Sequence, residues 1–129
     1  MTKEWLEVEA HMGPVFDRYG FVSDGVSSEL EYGELPAWAL FYVRDDCKLQ
    51  VCWSAREGGV DFMLAPVNAP NELGLRNDAK SWQYLLLLSD FDEGLTTPSL
   101  DAPTEEWWEW RKALFEAHFP AAHAALLAR

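Results

Sequence analysis

Residues Ala37 to Ala65 read AWALFYVRDDCKLQVCWSAREGGVDFMLA, three apolar segments separated by Asp45-Asp46 and by Arg56-Glu57-Gly58-Gly59. Both separators have the composition of hairpin connections, since Asp and Gly tolerate the backbone conformations that tight turns require. Tight turns at Asp45-Asp46 and Glu57-Gly58 pair Trp38 with Trp53, Leu40 with Val51 and Tyr42 with Leu49. They also pair Trp53 with Phe62, Val51 with Leu64 and Ala55 with Val60. All of these side chains then fall on one face. The opposite face carries Phe41, Val43, Lys48, Gln50, Cys52, Ser54, Asp61 and Met63, a mixed surface suited to partial cover or to water. A slip of one residue would scatter the apolar set over both faces, so the agreement of two separate turns predicts an antiparallel meander.

The flanking sequence adds helices and one more strand. Val26, Ser28, Leu30 and Tyr32 alternate with Ser27, Glu29 and Glu31, as in a strand with one wet, acidic side, and Gly33 to Pro36 turns the chain. Upstream, Trp5, Val8, Met12, Val15 or Phe16, and Tyr19 recur at three- and four-residue steps, which predicts an amphipathic helix capped by Thr2 and ending before Gly20. Gly13-Pro14 predicts a kink in it or a division into two short helices. Downstream, Pro66 to Lys80 reads as a long irregular crossing, with Asn77 and Asp78 among its turn-forming residues. Ser81 offers an N-cap for a helix through Leu88, and Asp90 to Pro103 reads as an acidic loop. Asp101 or Thr104 can cap a last long helix, with Glu105 and Glu106 in its first turn, where the helix dipole favours acids. Pro120 predicts a break before a short terminal helix over Ala121 to Ala128.

These elements make an α+β fold: an antiparallel meander of about four strands, an N-terminal helix, and C-terminal helices packed on one face. At 129 residues, 49% of them hydrophobic, the chain reads as a single acidic domain, 1–129, built around a core.

Charge narrows the function. Twenty-two acids against 10 bases give a formal net charge of -12, which repels phosphate backbones and anionic membranes alike and argues against direct nucleic-acid binding. The acids concentrate in two places. Asp24 to Glu34 contains Asp24, Glu29, Glu31 and Glu34 with no base, and Asp90 to Glu109 contains seven acids with no Lys or Arg. Such stretches are either solvated, solubility-promoting faces or a steering surface for a basic partner. The start of the chain lacks a signal-peptide pattern, and Leu85 to Leu88 is too short to span a bilayer, so the expected location is the cytoplasm with no membrane contact.

Motifs of catalysis do not emerge. No glycine-rich phosphate loop follows a strand, no serine sits in a nucleophile elbow, and no Cys-x-x-Cys pair occurs. On one extended segment Cys47 and Cys52 stand about 15 Å apart, beyond the ~7 Å a disulfide allows, and face opposite sides. His118 and His123 lie about 140° apart around a helix, with a proline between them, and only Glu7 and His11 share a helical face, so neither a metal nor a cofactor is expected. Arg111 and His118 project into the apolar arc of Trp107, Trp110, Leu114 and Phe115. Each needs a polar partner there, either an acid on another element or a ligand in a pocket between the sheet and the C-terminal helix. Trp107-Trp108-Glu109-Trp110 suits either core packing or a binding hot spot, and Trp108, at the flank of the arc, is the tryptophan expected to be exposed.

The run Tyr19-Gly20-Phe21 after an N-terminal helix, followed by Leu49-Gln50-Val51-Cys52-Trp53 and Arg56-Glu57-Gly58-Gly59-Val60, resembles small bacterial proteins that include immunity proteins of polymorphic toxin systems. The resemblance covers the first half of the chain. It implies a stoichiometric inhibitor that masks the active site of a basic toxin domain, such as a nuclease, by charge complementarity. The surface expected for that role is Glu29, Glu31, Glu34, Asp90, Asp92, Glu93 and Trp108, on a monomer or homodimer. Two other readings stand beside it: a small-ligand-binding protein or enzyme using the pocket near Arg111 and His118, and a structural subunit that self-associates through a sheet face or edge.

Overall fold

The computed structural model describes residues 4–56, 58–76 and 79–128. Thr2 as a helix cap, Glu57 as a turn residue, and Asn77 and Asp78 as loop residues lie outside them. The chain forms two compact units, Met1–Tyr84 and Leu85–Arg129.

The first unit consists of helix α1 (Glu4–Arg18) and a five-stranded antiparallel sheet in sequential order: β1 (Val22–Tyr32), β2 (Leu35–Val43), β3 (Lys48–Ser54), β4 (Val60–Ala65) and the two-residue β5 (Gln83–Tyr84). The meander and the α+β class are as the sequence predicts, with β5 added at the edge. β2 and β3 pair Trp38 with Trp53, Leu40 with Val51 and Tyr42 with Leu49, as expected. The amide of Arg44 donates to the Cys47 carbonyl at 3.0 Å, which closes the Asp45-Asp46 turn.

The next hairpin corrects the expected register by two residues. Val51 faces Phe62, Leu49 faces Leu64 and Trp53 faces Val60. The connection runs from Ala55 to Gly59 rather than over two residues. Its Gly58 amide donates to the Ser54 carbonyl at 2.8 Å, and Gly58 takes the left-handed conformation at φ 80°. Strand faces alternate with period two, so a shift of two leaves every side chain on its expected face.

Strand β1 contains two irregularities, between Ser23 and Val26 and between Ser27 and Leu30, where it carries one residue more than β2. Each such bulge exchanges the faces. Val26 therefore lies opposite Leu40 while Leu30 lies opposite Ala37, on the other side of the sheet, which splits the predicted alternation.

Helix α1 buries Val8, Met12, Val15 and Phe16. Phe16 meets Tyr42 and Phe62 edge-on, with ring centroids 4.8 and 6.3 Å apart, so the helix covers the face of Leu40 and Tyr42. It continues through Pro14 without the expected division. Proline releases the carbonyl four residues back, that of Ala10; Ala10 and Pro14 are both exposed, so the released carbonyl is on the solvent side of the helix. The helix ends with Gly20 at φ 87° and the Phe21 amide donating to the Phe16 carbonyl at 3.0 Å, a Schellman closure.

The opposite sheet face is dry. Ala37, Ala39, Phe41, Cys52, Met63 and Ala65 are buried in one cluster with Ala69, Leu73, Leu75, Ala79 and Trp82 from the irregular segment after β4. The strands hold that segment by its backbone. Lys48 Nζ donates to the Ala69 carbonyl at 3.0 Å and also reaches Asn71 Oδ1. Gln50 Nε2 donates to the Glu72 carbonyl at 2.9 Å, and Gln50 Oε1 accepts from the Gly74 amide at 3.0 Å. Trp82 Nε1 donates to the Pro70 carbonyl at 2.9 Å.

In the second unit, helix α2 spans only Leu85–Ser89, because Gln83 and Tyr84 pair with Leu64 and Met63 instead of starting the helix expected from Ser81. The acidic loop leads to helix α3 (Thr104–Leu127), which is continuous through Pro120 rather than broken there. Glu116, whose carbonyl that proline releases, is exposed, as is Pro120 itself. Pro103 occupies the N-cap without a side-chain bond, in place of Asp101 or Thr104; Asp101 instead accepts from Ser99 Oγ at 2.7 Å.

Candidate recognition surfaces

The acids of the first stretch divide into spent and unspent groups. Asp24 is spent: its Oδ2 lies 3.2 Å from Lys48 Nζ and accepts from Asn71 Nδ2 at 3.1 Å. The Asn71 bond, and after it the lysine, hold the Asp24 carboxyl below its usual range. Glu29 and Glu31 are exposed on β1, the edge strand, and Glu34 is exposed in the turn after it at φ 68°. Among the described residues, no hydrogen bond or ion pair engages these three carboxylates. The backbone beneath them is fixed, since Arg76 Nη2 donates to the Glu31 carbonyl at 2.8 Å.

In the second unit only part of the expected surface faces outward. Asp90 and Asp92 are exposed; Asp90 has φ 51°, and Asp92 Oδ1 accepts from the Gly94 amide at 2.9 Å. Glu93, expected on the recognition surface, turns inward. Its Oε1 bonds His118 Nε2, and its Oε2 accepts from the Leu95 amide at 3.0 Å. Those bonds, His118 first, lower the Glu93 pKa. Trp108 is also corrected, being buried while Trp107 and Trp110 are half-buried. Tryptophans at 107, 108 and 110 cover an arc of about 160°, too wide for periodicity alone to say which one is innermost.

His118 meets the expectation of an acid on another element. It is buried, with Nδ1 2.5 Å from Ser89 Oγ, Nε2 on Glu93, and the Phe91 ring centroid 4.6 Å from its own. Serine, histidine and glutamate in this order resemble the connectivity of a hydrolytic triad, which sequence reading missed because His118 lies 29 residues from Ser89 and 25 from Glu93. The local bonding opposes nucleophilic chemistry. Ser89 Oγ also donates to the Leu86 carbonyl at 3.2 Å, and the following amide, Asp90 N, donates to the same carbonyl at 3.1 Å. The amide best placed to stabilise an oxyanion is thus already used. The arrangement is a clamp that ties the acidic loop to α2 and α3.

Arg111 lies 4.6 Å from the Trp108 ring centroid and 5.8 Å from that of Trp107, a cation–π stack. Both cysteines are free and buried. Burial, aided by Asp46, pushes the Cys47 thiol up to about 12, and burial likewise raises Cys52, so neither is a reactive thiolate. Among the described residues no helix is long and apolar enough to cross a membrane. No family model matches the chain, and neither a curated protein nor a solved structure matches it significantly.

Proposed function

We propose that this chain is a non-catalytic, acidic protein-binding domain whose partner is basic, and most concretely an immunity protein that masks the active site of a bacterial toxin domain in the cytoplasm, as a monomer or homodimer. The observation that carries this reading is the set of Glu29, Glu31 and Glu34, exposed on an edge strand and its turn with unspent carboxylates, in a chain of net charge -12. Asp90 and Asp92 add to the negative field; Glu93 and Trp108 do not belong to the surface. Exposed charges of one sign chiefly raise the rate of encounter with an oppositely charged partner.

The test is stopped-flow association of the purified chain with a basic partner protein recovered by pull-down from the native lysate, over a range of salt concentration. The Glu29→Gln/Glu31→Gln/Glu34→Gln variant is expected to associate about tenfold more slowly at low salt and to lose most of its salt dependence. Equal rates for wild type and variant at every ionic strength would remove the proposal.

A further inference from the structure

The loop after α2 is built inside out. Glu93 is its inward residue, with a side chain 15% exposed, while Phe91 and Leu95 on either side of it remain 46% and 38% exposed. Hydrophobic burial alone would set the opposite order, with the carboxylate in water and the two apolar side chains covered. Glu93 is held in by His118 Nε2 and the Leu95 amide, and His118 in turn by Ser89 Oγ. These polar contacts fix a backbone that leaves Phe91 and Leu95 in contact with solvent.

Helix α2 extends this apolar surface. Leu86 and Leu87 are 47% and 74% exposed, whereas Leu85 and Leu88 of the same helix are buried. Ser89 Oγ donates to the Leu86 carbonyl and lies 2.5 Å from His118 Nδ1, and the Phe91 ring centroid is 4.6 Å from that of His118. Leu86, Phe91 and Leu95 therefore surround one buried histidine, with Leu87 next to them on the helix. Single exposed apolar residues are ordinary on a protein surface, but several gathered on one fixed support mark a contact site.

Charge selects the partner. Asp90 lies between Leu87 and Phe91 in the chain and Asp92 follows Phe91, and both are exposed. The lysine and arginine described in the second unit are engaged elsewhere. Arg111 stacks on Trp107 and Trp108, and Lys112 Nζ lies 2.9 Å from Glu109, about 9 Å along α3 from His118. A second copy of the chain would bring Asp90 and Asp92 against like charge in a protein of net charge -12, and a lipid surface would have to desolvate both carboxylates. A segment whose apolar residues are flanked by Lys or Arg satisfies the leucines and the acids together.

From this arrangement we infer that Leu86, Leu87, Phe91 and Leu95, with Asp90 and Asp92 among them, are the docking surface for a basic amphipathic helix of a partner protein. The apolar stripe of that helix covers the leucines and Phe91, and the lysines or arginines flanking the stripe meet Asp90 and Asp92. Because the Glu93–His118 contacts already hold the loop, docking orders it little further, which favours affinity. The inference rests on the reading of this chain as a binder of a basic partner and gives that partner an apolar anchor, which carboxylates alone do not provide.

The test titrates a synthetic helical peptide of about 14 residues, with leucines on one face and lysines on the other, into the full chain and follows ¹H–¹⁵N chemical shifts. Saturable shifts are expected at the amides of Leu87, Asp90, Phe91 and Leu95. Leu87→Ser, at the most exposed of the apolar positions, should weaken binding about fivefold, and Asp90→Asn/Asp92→Asn about threefold with less salt dependence. The Leu95 amide shift of each variant without peptide verifies that its clamp is intact. Equal affinity for a lysine-only peptide or for the same pattern in leucine and glutamate, an unchanged affinity in Leu87→Ser, or shifts confined to β1 would overturn the assignment. So would shifts at these amides that grow with protein concentration alone, the sign of pairing between two copies, or that appear equally with phosphatidylcholine vesicles, the sign of a lipid surface. The peptide replaces the natural partner and Glu29, Glu31 and Glu34 are untouched, so failure here leaves the proposed recognition by those three intact, and equal stopped-flow rates leave the peptide result standing.

Discussion

Replacing Gln50 by methionine changes its shape little and removes both of its hydrogen bonds. Gln50 is fully buried, and it joins the Glu72 carbonyl to the Gly74 amide much as a neighbouring strand would. Volume-conserving apolar exchanges in a core cost under about 1.5 kcal/mol, so the larger consequence lies in the two backbone groups left behind. A buried donor or acceptor stripped of its partner costs about 1–3 kcal/mol. Because the Glu72 bond is only partly buried, the combined loss for Gln50→Met is about 2–4 kcal/mol, a drop in Tm of about 10 °C or more. Urea titration by circular dichroism measures the first quantity, and hydrogen exchange at Gly74 should show its amide deprotected. Gln50→Glu adds a signed control. A buried glutamate beside the Glu72 carbonyl has its folded pKa raised above the unfolded value of about 4.3. Its stability is therefore retained below that pH, where the protonated acid still donates, and is lost as pH rises through the folded pKa. A Gln50→Met protein within about 0.5 kcal/mol of wild type, with Gly74 still protected, would refute the claim that these bonds hold the segment.

Gly74→Ala tests the same cover by overpacking. A Cβ there would stand 2.5 Å from Met63 Sδ and 2.9 Å from Trp82 Cβ, so a loss of about 1–3 kcal/mol is expected by urea titration, and none if the cover is loosely packed. Lowering the pH should release the His118 clamp. The folded pKa of Glu93 is depressed, so its contribution is present above the ordinary carboxylate range and lost as pH falls through the lowered value. The Leu95 amide shift should follow that titration in wild type and not in Glu93→Gln, and a Leu95 shift that is flat down to the acid limit would count against the clamp.

The hairpin from β2 to β3 was legible because Asp45-Asp46 is a two-residue turn and Trp38, Leu40 and Tyr42 have obvious partners across it. The register of β3 on β4 was not, because several connection lengths fit Arg56-Glu57-Gly58-Gly59 and those differing by two residues preserve the faces equally well. Apolar alternation along β1 failed at its bulges, which leave no composition signal in a Ser-rich strand. Both prolines disrupted less than expected, for a reason that lies in the sidedness of the helices: each releases a carbonyl toward water. The cover over Phe41 and Met63 had one overlooked sign. Leu73, Leu75 and Trp82 are too apolar for an open loop, and Lys48 and Gln50 carry the donors such a loop would need. Of the recognition residues, Glu29, Glu31 and Glu34 were visible as a run of acids without bases. Glu93 and Trp108 looked equivalent to their neighbours, and only the fold separates them.

The segment over the second sheet face is held at the carbonyls of Ala69, Pro70 and Glu72 and the amide of Gly74. Every residue type supplies a carbonyl, and all but proline an amide. Lys48, Gln50 and Trp82 are therefore individually constrained, whereas Ala69, Pro70 and Glu72 are gripped without regard to their side chains; Gly74, where a Cβ would meet Met63, is the exception. At those three positions sequence drift leaves the contact intact, so two chains sharing this architecture can keep the gripping residues recognisable while the positions gripped diverge.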